Sequence, residues 1–183
     1  MKIRFLLLFL FLQALLITCT NYGLHYGGFY FAILEDESIE IIGLSAKQIH
    51  LKTLQFPSTI YGKKVIKINL NSEEGKRLMK GSDSSHKIGA KEVIVPSSIK
   101  IIGSYCFDSK HFPDLESVLF KDPRGWYLTY KNRHGATVNL PLDVGDPKKN
   151  ALLLKGNYYE EYFYDPSDPK RKVYYKEFTW CKK

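Results

Sequence analysis

Three short runs of the chain alternate in a way that predicts β-strands with one buried face. In each run the first and third residues are apolar, which gives the pairs Leu54 and Phe56, Val93 and Val95, and Val118 and Phe120. The first two runs are followed directly by Pro57 and Pro96. Proline ends a strand because it cannot donate a hydrogen bond to a β-ladder. The alternation therefore predicts three matching strands that share an inward apolar face.

The first two strands belong to a sequence repeat. Residues 54–60 match residues 93–99 position by position, so that Ile60 and Ile99 both return an apolar side chain to the core. The third run starts 25 residues after Val93, within the roughly 20 to 29 residues of a leucine-rich repeat. One coil of this kind cannot bury its own apolar face, so the pattern predicts stacked neighbours.

Further positions of the second repeat have predicted structural roles. Gly103 is expected in a tight turn with positive φ, where glycine costs least. Ile102, Phe107 and Leu115 are expected to complete the core of the coil. An insertion at residues 69–89 separates the first two repeats, and its Ser72 to Met79 stretch has the capping residue, early acids and late bases of a short helix.

The run from Val95 to Phe107, VPSSIKIIGSYCF, resembles the BspA-like leucine-rich repeats of bacterial surface proteins. In those repeats a Pro-Ser-Ser turn leads to Ile-Gly and then to a small residue before phenylalanine, and Cys106 stands at the small position. Residues 58–65 resemble the first-repeat variant, in which a Gly-Lys turn precedes a valine. The segment from Phe120 to Tyr127 is similar to C-terminal parts of such proteins in spirochaetes.

The resemblance implies a mainly β fold, a short leucine-rich-repeat solenoid of two to three coils within residues 29–183. Repeats are expected at 51–127, including the insertion. An N-terminal hairpin cap is expected at 29–50, because two β-rich arms flank the polar turn from Glu35 to Ser38.

The C-terminal part, residues 128–183, is expected to cap the other end of the stack. Residues 141–150 are predicted to form a loop, because they contain two prolines and three aspartates or asparagines. Tyr158 to Trp180 then holds nine aromatic residues in two arms around Asp165 to Pro169, which predicts a hairpin. Its rings either close the solenoid or form an exposed binding face, since tyrosine offers contact area and a polar tip.

Candidate binding residues follow from this geometry. Gln55, Ile94 and Leu119 are expected to point outward from the repeat sheet and to make a partly apolar face, which often marks a protein contact. Four tyrosines of the C-terminal tail are further candidate binding residues: Tyr158, Tyr162, Tyr164 and Tyr174.

The chain begins with a targeting pattern at residues 1–18. Lys2 and Arg4 give a basic start, and the apolar run from Phe5 to Ile17 is shorter than the about 20 residues that span a bilayer. Such a run is typical of a signal peptide.

Leu16-Ile17-Thr18-Cys19 resembles a bacterial lipobox, although Ile17 and Thr18 stand where small residues are usual. The resemblance implies cleavage before Cys19, lipidation of that cysteine and a tether at 19–28. The alternatives are an ordinary secretory signal cut near Thr18 or Thr20, and an uncleaved anchor.

Charge and reactive residues narrow the function classes. Loss of residues 1–18 lowers the formal charge from +8 to +6, and acids are interspersed with bases, which favours weak polyanion association and no nucleic-acid site. The five histidines lack the spacing of paired metal ligands. Cys106 is expected to be buried and inert, with a Cys106–Cys181 disulfide as an alternative outside the cytoplasm. No catalytic, metal or cofactor residues are therefore predicted.

The resemblance implies a surface-exposed lipoprotein without catalysis that binds a protein or extracellular-matrix ligand. Its lipid would anchor it to the membrane. Its expected place is the outer membrane or cell surface, with a periplasmic or secreted protein as alternatives. The competing functional interpretation is a structural or assembly component of the envelope that faces the periplasm.

Overall fold

A computed structural model of the chain describes residues 23–80, 87–131, 136–156, 162–165 and 168–183. The described residues are mostly β and form a mixed sheet of nine strands, a parallel sheet of three strands and a two-stranded hairpin. The strands are β1 Leu24–Tyr26, β2 Phe29–Ile33, β3 Ile39–Leu44, β4 Thr53–Gln55, β5 Thr59–Ile60, β6 Lys63–Ile68, β7 Glu92–Val95, β8 Ile101–Ile102, β9 Ser117–Phe120, β10 Trp126–Lys131, β11 Thr137–Pro141, β12 Tyr162–Asp165, β13 Asp168–Tyr174 and β14 Thr179–Lys182. The helices are α1 Ala46–Ile49, α2 Glu73–Lys80 and α3 Pro147–Lys155, with a 3-10 turn at Tyr175–Glu177.

The predicted signal peptide at 1–18 and Cys19 lie outside the described residues. Among the helices that the structure does describe, none has the length and apolarity to cross a bilayer.

The small sheet consists of the three strands that the alternation predicts, in the order β4-β7-β9. All three run parallel, with Leu54 paired to Val93 and Val93 paired to Val118, so the predicted register is confirmed. Pro96 follows β7 directly and Pro57 follows β4 after one residue, and both prolines are half-buried. The other predicted inward positions are buried: Phe56, Ile60, Val95, Ile99, Ile102, Phe107, Leu115 and Phe120.

The large sheet has the order β1-β2-β3-β6-β8-β14-β10-β11, with β5 paired to β6 outside this path. Its middle strands β3, β6 and β8 are parallel, and every other pair is antiparallel. The chain passes from β4 to β6 and later from β7 to β8, and the strands of the second pass lie beside those of the first. Buried side chains of both sheets belong to one hydrophobic core.

The N-terminal hairpin is confirmed, since β2 and β3 are antiparallel and β3 continues into the large sheet beside β6. Strand β1 lies within residues 19–28, which were expected to form a tether, so the part of that segment from Leu24 onward belongs to the sheet instead. The two-residue turn of Gly27 and Gly28 joins β1 to β2 with φ of 57° and 96°, which only glycine adopts freely. Gln48 Nε2 donates to the Gly27 carbonyl oxygen at 2.7 Å and fixes the turn.

The insertion contains the predicted short helix, α2, packed against β3. The Ser72 hydroxyl accepts a hydrogen bond from the Gly75 amide at 3.0 Å, as expected of a helix-capping residue. A Cβ atom at Gly75 would lie 1.8 Å from the Ile42 carbonyl oxygen, so only glycine lets the helix approach the strand this closely.

The segment 141–150, predicted as a loop, instead contains the start of helix α3. Asp146 caps the helix by accepting from the amides of Lys148 and Lys149 at 2.9 and 3.2 Å, and Pro147 occupies its first turn. The fully buried Asn150 donates from Nδ2 to the carbonyl oxygens of Val118 and Val144 at 3.0 and 2.9 Å. Helix α3 thereby packs against β9, the last strand of the parallel sheet.

The C-terminal end departs from the predicted cap in two ways. The predicted hairpin is present as β12 and β13, but it forms a separate sheet. The strand that continues the large sheet beyond β8 is β14, which lies between β8 and β10 and buries Trp180. The boundary expected at residue 128, between repeats and cap, falls inside strand β10 of the large sheet.

Both described thiols are free, so the Cys106–Cys181 disulfide is not formed. Cys106 is buried as predicted, and its Sγ donates to the Ile68 carbonyl oxygen at 3.4 Å. Burial raises the pKa of Cys106 to about 12. The thiol is therefore protonated at neutral pH, which agrees with an inert core residue.

Gly103 is required for a different reason from the one expected, because its φ is not positive. A Cβ atom there would lie 2.7 Å from Asn69 Oδ1 and 3.4 Å from Cys106 Sγ. The Asn69 amide cannot easily move away, since its Nδ2 donates to Glu40 Oε1 at 2.8 Å. Glu40 Oε1 in turn contacts Lys67 Nζ at 3.1 Å. Close approach of this polar group, rather than backbone conformation, excludes a side chain at position 103.

We expect Gly103→Ala to lower the free energy of unfolding by about 1–3 kcal/mol, the usual cost of overpacking. In an Asn69→Ala background most of that penalty should disappear, because the group that the new methyl strikes is gone. Urea unfolding of the two single variants and the double variant measures the difference. An equal penalty in both backgrounds would contradict the proposed contact.

Asp122 joins the turn before β10 to the strand β14. Its carboxylate accepts from Arg124 Nε at 2.9 Å and from Lys182 Nζ at 2.6 Å. The Lys182 side chain is only 6 % exposed, so Asp122 supplies the opposite charge beside a largely buried ammonium group. The hydrogen bond from Arg124, followed by that from Lys182, holds the pKa of Asp122 well below its usual value.

The ion pair stabilises the fold only while Asp122 is ionised. Its full contribution is present above the unfolded-state carboxyl pKa of about 3.9, and it is lost as the pH falls toward the lower pKa of the folded state. We therefore expect wild type to exceed Asp122→Asn in stability by a constant margin above about pH 5, and the margin to shrink below about pH 4. Urea midpoints across this range test the expectation. The exposed Asp114→Asn variant controls for removal of one charge, and a margin independent of pH would count against the ion pair.

Candidate interaction surface

The outward row of the parallel sheet is the candidate surface with the most regular geometry. Gln55 pairs with Ile94 and Ile94 with Leu119, so the three predicted residues stand side by side across β4, β7 and β9. Gln55 is exposed, and the two apolar residues are half-buried. The strands thus present a short, partly apolar row of side chains on the face opposite their core residues.

Polar contacts border this row on the same sheet. Thr53 Oγ1 donates to Glu92 Oε2 at 3.2 Å. Lys91 Nζ donates to Glu116 Oε1 at 2.6 Å, and this hydrogen bond lowers the pKa of Glu116 and raises that of Lys91. Both pairs are solvent-exposed, so they contribute little to folding. Thr53 and Glu92 lie two residues before Gln55 and Ile94 and therefore on the same face, so this pair borders the row with polar groups, as is usual at protein–protein interfaces.

The tail tyrosines are not joined to this row by strand pairing. Tyr162 pairs with Tyr174 in the hairpin of β12 and β13, and Tyr164 lies on the same strand as Tyr162. That hairpin is a separate sheet, and Tyr158 lies outside the described residues. The structure therefore brings together Gln55, Ile94 and Leu119 but does not extend their ladder to the tail.

A second exposed surface was missed by the sequence analysis. Leu24 and Tyr26 on β1 and Tyr61 in the turn between β5 and β6 are all exposed large apolar residues. The Gly-Gly pair at 27–28 is a hairpin signal that could have revealed β1. Its apolar residues come from two distant parts of the chain, however, and no local pattern joins them.

Beside this second surface lies a cleft of about 130 Å³, lined mainly by apolar side chains. Its volume is below the roughly 300–1,000 Å³ of most small-molecule sites, so it does not suggest a substrate pocket. In the part of the chain that the structure describes, no three His, Cys, Asp or Glu side chains come together to hold a metal ion.

Comparison with protein-family models, with curated proteins and with solved structures finds no match to this chain. The arrangement of strands and surfaces in the structure therefore has to support any functional proposal.

Proposed function

We propose that this chain is a short solenoid of the BspA-like leucine-rich-repeat type that binds a protein ligand at the bacterial cell surface. The fold part of the proposal is supported by two parallel ladders, β4-β7-β9 in one sheet and β3-β6-β8 in the other. Each pass of the chain contributes neighbouring strands to both ladders, as successive coils of a solenoid do.

Hydrogen bonds at the start of successive strands support the same interpretation. The Lys52 carbonyl oxygen accepts from the amides of both Lys91 and Glu92. One pass later, the Lys91 carbonyl oxygen accepts from the amides of both Glu116 and Ser117. The same arrangement, in which one carbonyl oxygen accepts from two successive amides, thus occurs at spacings of 39 and 25 residues. These are the repeat spacings of the sequence. The insertion lengthens one pass without changing the way in which the strands join.

The single observation that carries the binding proposal is the in-register row of Gln55, Ile94 and Leu119. Two of its three members are apolar and partly exposed, although the fold does not need them as core residues. A ligand that covers the row would bury apolar surface at its centre and leave the polar pair of Thr53 and Glu92, on the same face, at its edge. A folded or extended protein surface fits such a flat site better than a small molecule does.

Replacing the apolar row by polar residues of strand-compatible shape tests the site. We expect Ile94→Thr/Leu119→Thr to weaken binding to an immobilised host extracellular-matrix extract at least about tenfold, as loss of a central interface contact would. Val138→Thr is the matched control, because Val138 is half-buried on β11 in the other sheet. Urea unfolding confirms that each variant is folded. Equal binding by both variants and wild type would remove this surface from the proposal.

The location proposed is an envelope lipoprotein anchored through Cys19. We expect labelled fatty acid to enter the full-length chain in a bacterium that processes lipoprotein precursors, and not to enter Cys19→Ala. Diacylglyceryl and N-acyl groups together hold a protein firmly, whereas one chain holds it only marginally. Equal labelling of both proteins would contradict the anchor.

Protease added to intact cells distinguishes the surface protein from an envelope component that faces the periplasm. A chain exposed on the surface should be degraded, while a periplasmic marker in the same cells survives. A protected chain that is degraded only after the outer membrane is opened would favour the assembly or structural role instead.

A further inference from the structure

Leu24, Tyr26 and Tyr61 form a compact exposed surface, here called the Tyr61 patch. Their exposed fractions are 38 %, 43 % and 72 %. The rings of Tyr26 and Tyr61 meet edge to face with centroids 4.9 Å apart, and Phe31 lies under Tyr61 at 6.3 Å. The patch therefore combines residues that β1 and the β5–β6 turn bring together from 35 positions apart in sequence.

Tyr61 occupies a backbone position that does not suit tyrosine. It forms a two-residue turn with Gly62, at φ of 50° and 77°, between the paired residues Ile60 and Lys63. Turns of this kind favour asparagine or glycine, because a left-handed φ is unfavourable for a bulky side chain. Its ring contacts with Tyr26 and Phe31 leave 72 % of its surface in water, so folding alone covers little of the side chain. Such a residue points to a contact outside the folded chain.

The position of the patch indicates what that contact is. Leu24 begins β1 and lies five residues after Cys19, a distance that a fully extended chain spans in at most about 18 Å. Leu24 pairs with Phe31, close to the turn that joins β2 to β3. Strand β6 is parallel to β3 and starts at the same end of the sheet. A lipid on Cys19 would hold this end of the domain, and with it the patch, beside the bilayer.

The charges near the patch are balanced rather than basic. Lys63 is paired with Glu37 at 2.8 Å, and the same hairpin turn exposes Glu35 and Asp36. Lys64 is an exposed base at the start of β6. Attraction to acidic headgroups is therefore not the driving force. Tyrosine suits the interface itself, because its ring is apolar and its hydroxyl stays hydrated.

We propose that the Tyr61 patch rests in the headgroup interface of the membrane that carries the lipid anchor. The proposal depends on the anchor at Cys19 proposed above. The contact orients the domain with the turn end of the N-terminal hairpin toward the bilayer.

A tryptophan placed at position 61 reports the contact. The native Trp126 and Trp180 are 4 % and 0 % exposed, so added lipid should leave their emission unchanged. Tyr105→Trp is the matched control, since Tyr105 is also an exposed tyrosine with positive φ, at 57°. It follows the end of β8, whereas Tyr61 precedes the start of the parallel β6, so the two positions lie at opposite ends of these strands.

Each full-length variant is produced in a bacterium that lipidates precursors, purified, and incorporated into phosphatidylcholine vesicles. Interfacial side chains lie about 5–10 Å into the headgroup boundary, so the Tyr61→Trp protein should shift its emission to shorter wavelength and lose roughly half of the added emission to brominated lipid. The Tyr105→Trp protein should show neither change. Adding acidic lipid should not strengthen the effect of Tyr61→Trp.

Flotation of the vesicles separates failure of this proposal from failure of the anchor. Protein that floats but keeps a water-exposed tryptophan at position 61 overturns the patch contact and leaves the anchor intact. Protein that does not float overturns the anchor and the contact together. A concentration-dependent shift of the Tyr61→Trp emission without vesicles would assign the patch to a second copy of the chain and overturn the membrane contact.

Discussion

The in-register pairing of three short strands is the constraint on which the structure depends. Leu54, Val93 and Val118 lie in one column because their strands pair residue for residue, and a slip by one residue would turn every core side chain toward water. The same column fixes what the opposite face presents, since side chains alternate along each strand. Core and candidate binding row are therefore two consequences of a single register.

Two parallel ladders of only three strands each depend on what packs beside their outer strands. Beside β9, helix α3 supplies Asn150, whose amide satisfies the Val118 carbonyl oxygen and ties it to that of Val144. Beside β8, the strand β14 continues the large sheet and is held by the pair of Asp122 and Lys182. At the other end, the N-terminal hairpin extends the sheet beside β6. These closures use different elements, and together they leave the outward face of β4, β7 and β9 available.

The period-two alternation was enough to predict the three core strands, because a buried face is set by local apolar spacing, and the repeat match of residues 54–60 with 93–99 predicted how the first two align. Helix α3 was missed since Asp146 and Pro147, which begin it, are also typical of loops. Gly103 was assigned to the wrong cause, because the polar group that excludes a side chain there comes from Asn69, 34 residues earlier. The Tyr61 patch was invisible for the same reason: contacts between distant segments leave no periodic trace in sequence.

The place of β14 in the large sheet has a consequence for the order of folding. Strand β8 pairs with β14 through Ile102 and Trp180, a separation of nearly 80 residues, and such long-range pairing makes folding slow. The large sheet cannot be completed until the chain has been synthesised through residue 180. The strands that precede β14 must therefore wait, with the edge of β8 unpaired, for a segment that is synthesised almost last.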